Sequence, residues 1–323
     1  MTSTITPERS RPILTVALPA PAKGQPMHAG ASSEARVPFS PDWINILFLG
    51  TAHTLAVAAV LYLVFVRFSF WSVGLGLLWF ACAGLSITGG YHRLFSHRAY
   101  QAHFLVRAFY LFFGAAAVQN SALKWCADHR LHHAKTDTER DPYNIRRGFL
   151  WAHVVWVLSK DPAPGRPRTA DLEADPLVAF QDRHYLLLAV IAGALLPGAL
   201  GFLWGDPVGA LLVAGFLRLA LQWHATFFVN SLAHYWGNQP YGGRTTARDS
   251  FWVALLTLGE GYHNFHHSFP TDYRNGVRWH HFDPTKWVVW SLSRVGLTGG
   301  LKRVPKLRLA RARAEASRAH EAA

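Results

Sequence analysis

The apolar positions of this chain are gathered into four long runs. Residues 46–66 are apolar or small almost throughout, and residues 70–90 repeat the pattern after a break at Arg67. A helix rises 1.5 Å per residue, so about 20 such residues cross the hydrocarbon core of a bilayer. The short link makes the two runs a hairpin. Residues 185–204 and 208–235 form a second pair, joined at Gly205-Asp206-Pro207. Another apolar stretch, residues 104–118, is too short to span comfortably; it is expected to be buried against other helices or to dip into the interface. Between the hairpins, Arg146, Arg147, Trp151, Trp156 and Lys160 mix basic and aromatic side chains as headgroup-level segments do. Residues 251–258 are a short apolar piece, and residues 279–297 read as an interfacial helix.

The ends differ from this core. Residues 1–40 are rich in Pro, Ala, Ser and Thr without a period, and read as disordered. They lack the compact apolar centre of a signal peptide. Residues 301–323 form an Arg- and Ala-rich tail, amphipathic or disordered. The pattern therefore predicts an all-α integral membrane protein, with four transmembrane helices and a helical cap within one domain over residues 41–300.

Charge orients this arrangement. The central segment, residues 91–183, holds thirteen Lys and Arg, and thirteen more follow the fourth run, whereas the two hairpin links hold one and none. The positive-inside rule puts the N-terminus, the central segment and the C-terminus on the cytosolic side. A net charge of +13 suits anionic partners such as membrane headgroups, an acidic electron donor or a phosphate-bearing substrate. No nucleic-acid partner is expected. The Ala- and Arg-rich composition points to a bacterial inner membrane. Cys82 and Cys126 form no Cys-x-x-Cys pair, which leaves thiolate-bound zinc and iron–sulfur clusters without support.

The eighteen histidines are the anomaly. His129, His132 and His133 share the spacing i, i+3, i+4 with His263, His266 and His267. On a helix these positions leave one face within an arc of roughly 100°. His92 and His97 form a looser pair. Inside the fourth run, Arg218, Asn230 and His234 are polar groups in an expensive place, and Asn230 and His234 share a helix face. His53, His103, His153, His184, His224, His280, His281 and His320 read as packed or surface rings. All three clusters, and His234, fall on the side that the charges assign to the cytosol. The cap is therefore a cytosolic, histidine-rich one.

Nine imidazoles exceed what one metal ion holds, and two metals with four or five each would use the set. Imidazole suits iron, copper, nickel and zinc. No thiolate or methionine cluster favours copper, and the pair of Glu-x-x-His motifs of soluble di-iron bundles and the His-Glu-x-x-His of zinc proteases are both absent. Two iron ions fit best, with open positions for dioxygen. Asp128 and Glu260 lie where a carboxylate can accept a ligand's free ring N–H, or equally where it can cap a helix. Asn230 can hold a water on one metal or make an interhelical hydrogen bond. A metal pair beneath spanning helices suits a long acyl chain with a polar head. Reaction at an unactivated methylene needs hydrogen-atom abstraction, which acid–base chemistry cannot supply.

The set His92-Arg-Leu-Phe-Ser-His97, His129-Arg-Leu-His-His133, Asn230-Ser-Leu-Ala-His234 and Gly259-Glu-Gly-Tyr-His-Asn-Phe-His-His267 resembles the membrane fatty acyl-CoA desaturases, the stearoyl-CoA Δ9 group. Asp141-Pro-Tyr-Asn-Ile-Arg-Arg-Gly-Phe is similar to that family's segment after its second histidine box. The resemblance covers roughly residues 46–297. It implies a four-helix membrane domain with a cytosolic cap and a kinked substrate tunnel. It implies nine histidines on two irons, with Asn230 acting through water. It implies insertion of a cis double bond while dioxygen is reduced to water, with two electrons from a separate donor, ferredoxin-like or a haem protein with its reductase. No fused haem domain is expected. Positions matching the family's CoA contacts are Asn120, Asp128 and Lys160, and Ala127 stands where the family often has arginine. Other carriers of the same chemistry are an acyl-lipid substrate or, with an alcohol as product, a membrane alkyl hydroxylase.

Overall fold

A computed structural model describes residues 38–160, 167 and 169–322. Most of the expected disordered segment, residues 1–40, lies outside the described residues. Each apolar run becomes one helix: α1 over Trp43–Val66 and α2 over Phe70–Ser96. The chain continues through α3 (Phe104–Ala116), α4 (Ala122–Lys135), α5 (Phe149–His153) and α6 (Pro176–Arg183). The second hairpin is α7 (Tyr185–Trp204) and α8 (Pro207–Tyr235). Then come α9 (Phe251–Leu256), α10 (His263–Ser268), α11 (Pro284–Arg294) and α12 (Lys306–Glu321). A minimal antiparallel pair, Gln101–Ala102 with Thr298–Gly299, ties the chain after α2 to the chain after α11. Four of these helices, α1, α2, α7 and α8, are long and apolar enough to cross a membrane.

The helix starts follow from local chemistry. Asp42 accepts from the N–H groups of Ile44 and Asn45, each at 3.1 Å, and so caps α1. Ser69 does the same for α2, accepting from Ser72 at 3.2 Å. Apolar side chains such as Ile44, Phe70 and Leu203 remain exposed, as lipid-facing positions do. α8 is the inner helix: 61% of its apolar window is buried, against 22% for α1. The short links 67–69 and 205–206 close one end of the two hairpins. The histidine-bearing ends of α2 and α8 therefore emerge together at the other.

Two departures from α geometry position the site. The last eleven residues of α2, Ser86–Ser96, are wound as a π-helix, with i→i+5 hydrogen bonding. This helix was expected to stop near residue 90; it runs on and carries the first histidine pair. α3 lies against that stretch through interlocked glycines and tyrosines. A β-carbon on Gly90 would come within 2.6 Å of Tyr110, and one on Gly114 within 2.4 Å of Tyr91. Gly114→Ala is expected to push Tyr91 and its neighbour His92 out of place. Overpacking of this kind costs about 1–3 kcal/mol. A thermal melt together with metal content checks it, since a variant with both unchanged would show that the contact is soft.

Arg218, a suspect from its place inside α8, is 2% exposed. Its guanidinium donates to the carbonyls of Ala214 (2.9 Å) and Ala116 (2.7 Å). Ala116 ends α3, so the cation meets a helix C-terminus, where the helix dipole is negative. The C-terminal stretch is helical. Leu309 of α12 packs with Phe265, Phe269 and Tyr241, and Arg313 donates to Tyr241 Oη at 2.6 Å. α12 thereby backs the helix that carries the last histidine box.

Candidate metal centre

The nine histidines singled out in the sequence, eight by spacing and His234 by its place in the fourth run, converge into two sets. His92, His97, His129, His133 and His266 bring their ring nitrogens within 4.8 Å of one another, and His132, His234, His263 and His267 do the same. Helix geometry explains the division. Residues i and i+4 differ by about 40° around an α-helix, while i+3 falls about 60° to the other side. His129 and His133 accordingly enter the five-histidine set and His132 the other. In α10, His263 and His267 share the four-histidine set and His266 crosses to the first. The π-helix does the same service for the first pair. Five α-helical steps would separate two side chains by about 140°. The wider turn, with the His97 N–H bonded to the His92 carbonyl at 3.2 Å, brings both rings to one site.

Ring nitrogens face one another closely. His92 Nε2 and His133 Nε2 each lie 2.9 Å from His266 Nε2, and His97 Nε2 lies 2.8 Å from His129 Nε2. In the second set, His267 Nε2 is 3.0 Å from His263 Nε2 and 3.3 Å from His132 Nε2. A neutral imidazole whose Nδ1 donates presents only a lone pair at Nε2. His92 Nδ1 lies 2.8 Å from Glu260 Oε2, and His132 Nδ1 lies 2.8 Å from Asp141 Oδ1. Their Nε2 atoms are therefore acceptors aimed at other ring nitrogens. Bonds to a transition metal of about 2.1 Å place neighbouring nitrogens at such separations. The donor set fits metal ions, two per chain.

Electrostatics agree. Burial first, and the crowding of other imidazoles second, hold His97, His129, His133, His263, His266 and His267 well below the usual imidazole range. The shift favours the neutral ring, which is the metal-binding form. Burial alone would raise the Glu260 carboxyl, but His92 and Arg93 outweigh it and bring it down to about 2. Arg93 itself is 1% exposed and bridges Glu260 Oε1 (2.8 Å) to Asp283 (3.0 Å).

A cavity of about 500 Å³ passes both sets, with His92 and His129 of one and His132 and His263 of the other in its lining. Its wall includes Phe48, Ile87, Val118, Trp156 and Phe227. Trp125 lines it too, stacked on His129 with ring centroids 4.9 Å apart. Gln119 accepts from Trp125 Nε1 (3.3 Å) and donates to Thr226 (2.9 Å), joining α4 to α8 across the cavity. Asn120, Asp128 and Asn230 line it as well, with Lys124 beside them. Lys160 is exposed and is not among the described residues of the lining; its N–H bonds to the Ser40 carbonyl at 2.6 Å.

Of the two carboxylates singled out for ligand N–H groups, Glu260 meets His92. Asp141 meets His132 and carried no such expectation. It lies nine residues on, past the end of α4, where helix spacing offers no cue. Three histidines read as packing make a chain apart from both sets. His53 Nε2 lies 3.2 Å from His224 Nε2, His224 Nδ1 lies 3.0 Å from His153 Nε2, and His153 Nδ1 lies 3.0 Å from Ser231 Oγ.

The fatty acid desaturase family profile matches residues 68–295. The chain is similar to acyl-CoA desaturase 1 of Saccharomyces cerevisiae, 48% identical over 70% of this chain and 45% of the yeast protein. It is 38% identical to stearoyl-CoA desaturase 4 of Mus musculus, over 82% of this chain and 76% of the mouse protein. It is 39% identical to an acyl-CoA Delta12-desaturase of Acheta domesticus, over 72% of this chain and 67% of that protein. The chain thus spans about half the length of its yeast relative. Profile, identity and the paired histidine sets agree: the chain belongs to the fatty acid desaturase family.

Proposed function

We propose that this protein is an oxygen-dependent fatty acyl desaturase that inserts a cis double bond, at Δ9, into a long-chain acyl-CoA. The observation that carries the reading is the apolar-walled cavity lined by histidines of both sets. Its size lies in the range of about 300–1,000 Å³ usual for ligand pockets. A hydrocarbon chain is the ligand that such a wall favours. The overall change removes two hydrogens from adjacent methylenes; dioxygen takes these, with two electrons and two protons from outside, to give two waters.

Two irons held by the nine histidines would supply the dioxygen chemistry that breaks an unactivated C–H bond. The protein's own residues do the rest. Glu260 and Asp141 hold ring N–H groups and so direct Nε2 lone pairs inward. Asn230 lines the same cavity and would reach a metal there through a water. Trp125, held by Gln119 and stacked on His129, braces the cavity wall beside the histidines, and the apolar wall keeps bulk water away. Asn120 and Asp128 take the headgroup end, with Lys160 beyond the cavity proper. The cap and both termini face the cytosol, in a bacterial inner membrane. A separate acidic donor, ferredoxin-like or a haem protein, brings the electrons to this basic side.

Expression in a host that lacks such an enzyme, followed by fatty acid profiling with double-bond location, tests the reading. A new cis-monoene at C9 is expected. A new double bond at another carbon, such as the Delta12 position in the cricket relative's name, would correct the regiochemistry. A hydroxylated chain would replace the desaturase reading with a hydroxylase.

A further inference from the structure

One connected strut joins two ligands of the four-histidine set. Asp137 lies just beyond α4 with φ of 66°, the left-handed region that aspartate tolerates better than most residues. That turn sends its backbone N–H to Asp141 Oδ2 at 3.0 Å. Asp141 Oδ1 in turn meets His132 Nδ1 at 2.8 Å. The Asp137 side chain goes the other way. Its Oδ2 accepts from the Thr246 N–H at 2.7 Å, and its Oδ1 accepts from the Thr246 hydroxyl at 2.6 Å. Thr246 Oγ1 then lies 2.8 Å from His234 Nδ1.

The donors fix the direction of this chain. A threonine hydroxyl has one proton. The carboxylate of Asp137 takes it, so the hydroxyl oxygen accepts from His234 Nδ1–H. His234 Nε2 is left as a lone pair; it is buried and has no hydrogen-bond partner among the described residues. The rings of His263 and His267 stand around it, with centroids 4.8 and 5.1 Å away. Thr246 is itself pinned, because Gln239 Nε2 donates to the carbonyls of Thr245 (2.6 Å) and Ala247 (3.2 Å).

We propose that Thr246 and Asp137 are positioning residues for the metal of the four-histidine set: Thr246 relays the Asp137 carboxylate to His234, and Asp137 couples that ligand to the Asp141–His132 pair. The inference rests on the di-iron reading above. It goes beyond it by assigning to this set a hydroxyl-mediated partner, where the other set uses Glu260 directly. Groups that orient a ligand histidine typically change metal affinity by 10–100-fold when lost.

Iron affinity of the purified full-length protein, with Mössbauer spectra of each site, is the test. In Thr246→Val, which keeps the shape and loses the hydroxyl, affinity at one site is expected to fall on the order of 10–100-fold while the other site keeps its iron. Thr246→Ser is expected to behave as the parent protein, with melting temperature and elution profile unchanged in both variants. Two irons bound as tightly in Thr246→Val as in the parent would overturn the relay alone. So would a serine variant as weak as the valine one, since packing would then be the cause. If Thr246→Val does not fold, Asp137→Asn reads the same relay, because its amide would place a donor against a donor. Loss at one site supports the proposal, and parent-like binding at both overturns it. A parent protein that binds no iron would overturn the di-iron reading itself.

Discussion

His266→Ala is expected to lose iron and turnover together. His266 is 1% exposed, and its Nε2 lies 2.9 Å from ring nitrogens on two other helices, those of His92 of α2 and His133 of α4. Removing it takes the contribution of α10 out of the five-histidine set and leaves a hole where three helices meet. The remaining nitrogens of that set, from α2, the residue after it and α4, have no partner on the far side. Iron content should drop at that site and fatty acid desaturation should fall below detection. Truncating a buried ring also costs stability, so the melt must be read beside the iron assay. His153→Ala supplies the contrast. It removes a ring from the separate chain of His53, His224 and Ser231, and iron content should stay at the parent value. Desaturation retained in His266→Ala would sink the assignment of the site.

Arg93→Met is expected to be the most destabilising single change. Arg93 donates to Glu260, to Asp283 and to the Tyr273 carbonyl, all within 3.0 Å and all buried. Glu260 has other donors in His92 and in Asn275, whose Nδ2 lies 2.6 Å from Oε2. Asp283 keeps backbone donors, the N–H groups of Asn275 (2.9 Å) and Gly276 (3.0 Å). Neither set replaces the cation's charge. Breaking a buried ion pair from one side typically costs about 3–5 kcal/mol, because the partner charges stay buried. A methionine fills the volume without the charge, so the loss reads the electrostatics and not a cavity. The effect should reach the metal, since Glu260 orients His92. A chemical or thermal denaturation series in detergent checks the first part, and the iron content of the surviving folded fraction the second. A melt within a degree or two of the parent would show that the network relaxes around the missing cation.

These two residues also show where sequence legibility ends. His266 could be picked out from spacing, because the turn of a helix is a local rule and three imidazoles at i, i+3, i+4 must share a face. Arg93 sits between two histidine-box residues and carried no expectation, since its partners Glu260 and Asp283 are more than 160 residues away. Asp141, Asp137 and Thr246 escaped for the same reason: each meets a histidine or its partner from a loop.

What the sequence determined by itself was the four apolar spans, because crossing hydrocarbon demands length and composition that any window of the chain displays. It picked out the nine histidines that the structure gathers into two groups, six by the repeated i, i+3, i+4 spacing and His92, His97 and His234 by a looser pair and a place inside the fourth run. The all-α class and the family resemblance followed from those two readings. Only the tertiary structure decided how the nine divide into five and four, because both helical boxes straddle two sites and no linear rule says which side each ring takes. It decided that α2 ends in a π-helix, against which α3 packs glycine on tyrosine. It decided which carboxylates and hydroxyls hold the ligand rings, because those contacts form only when distant loops fold back over the helix ends.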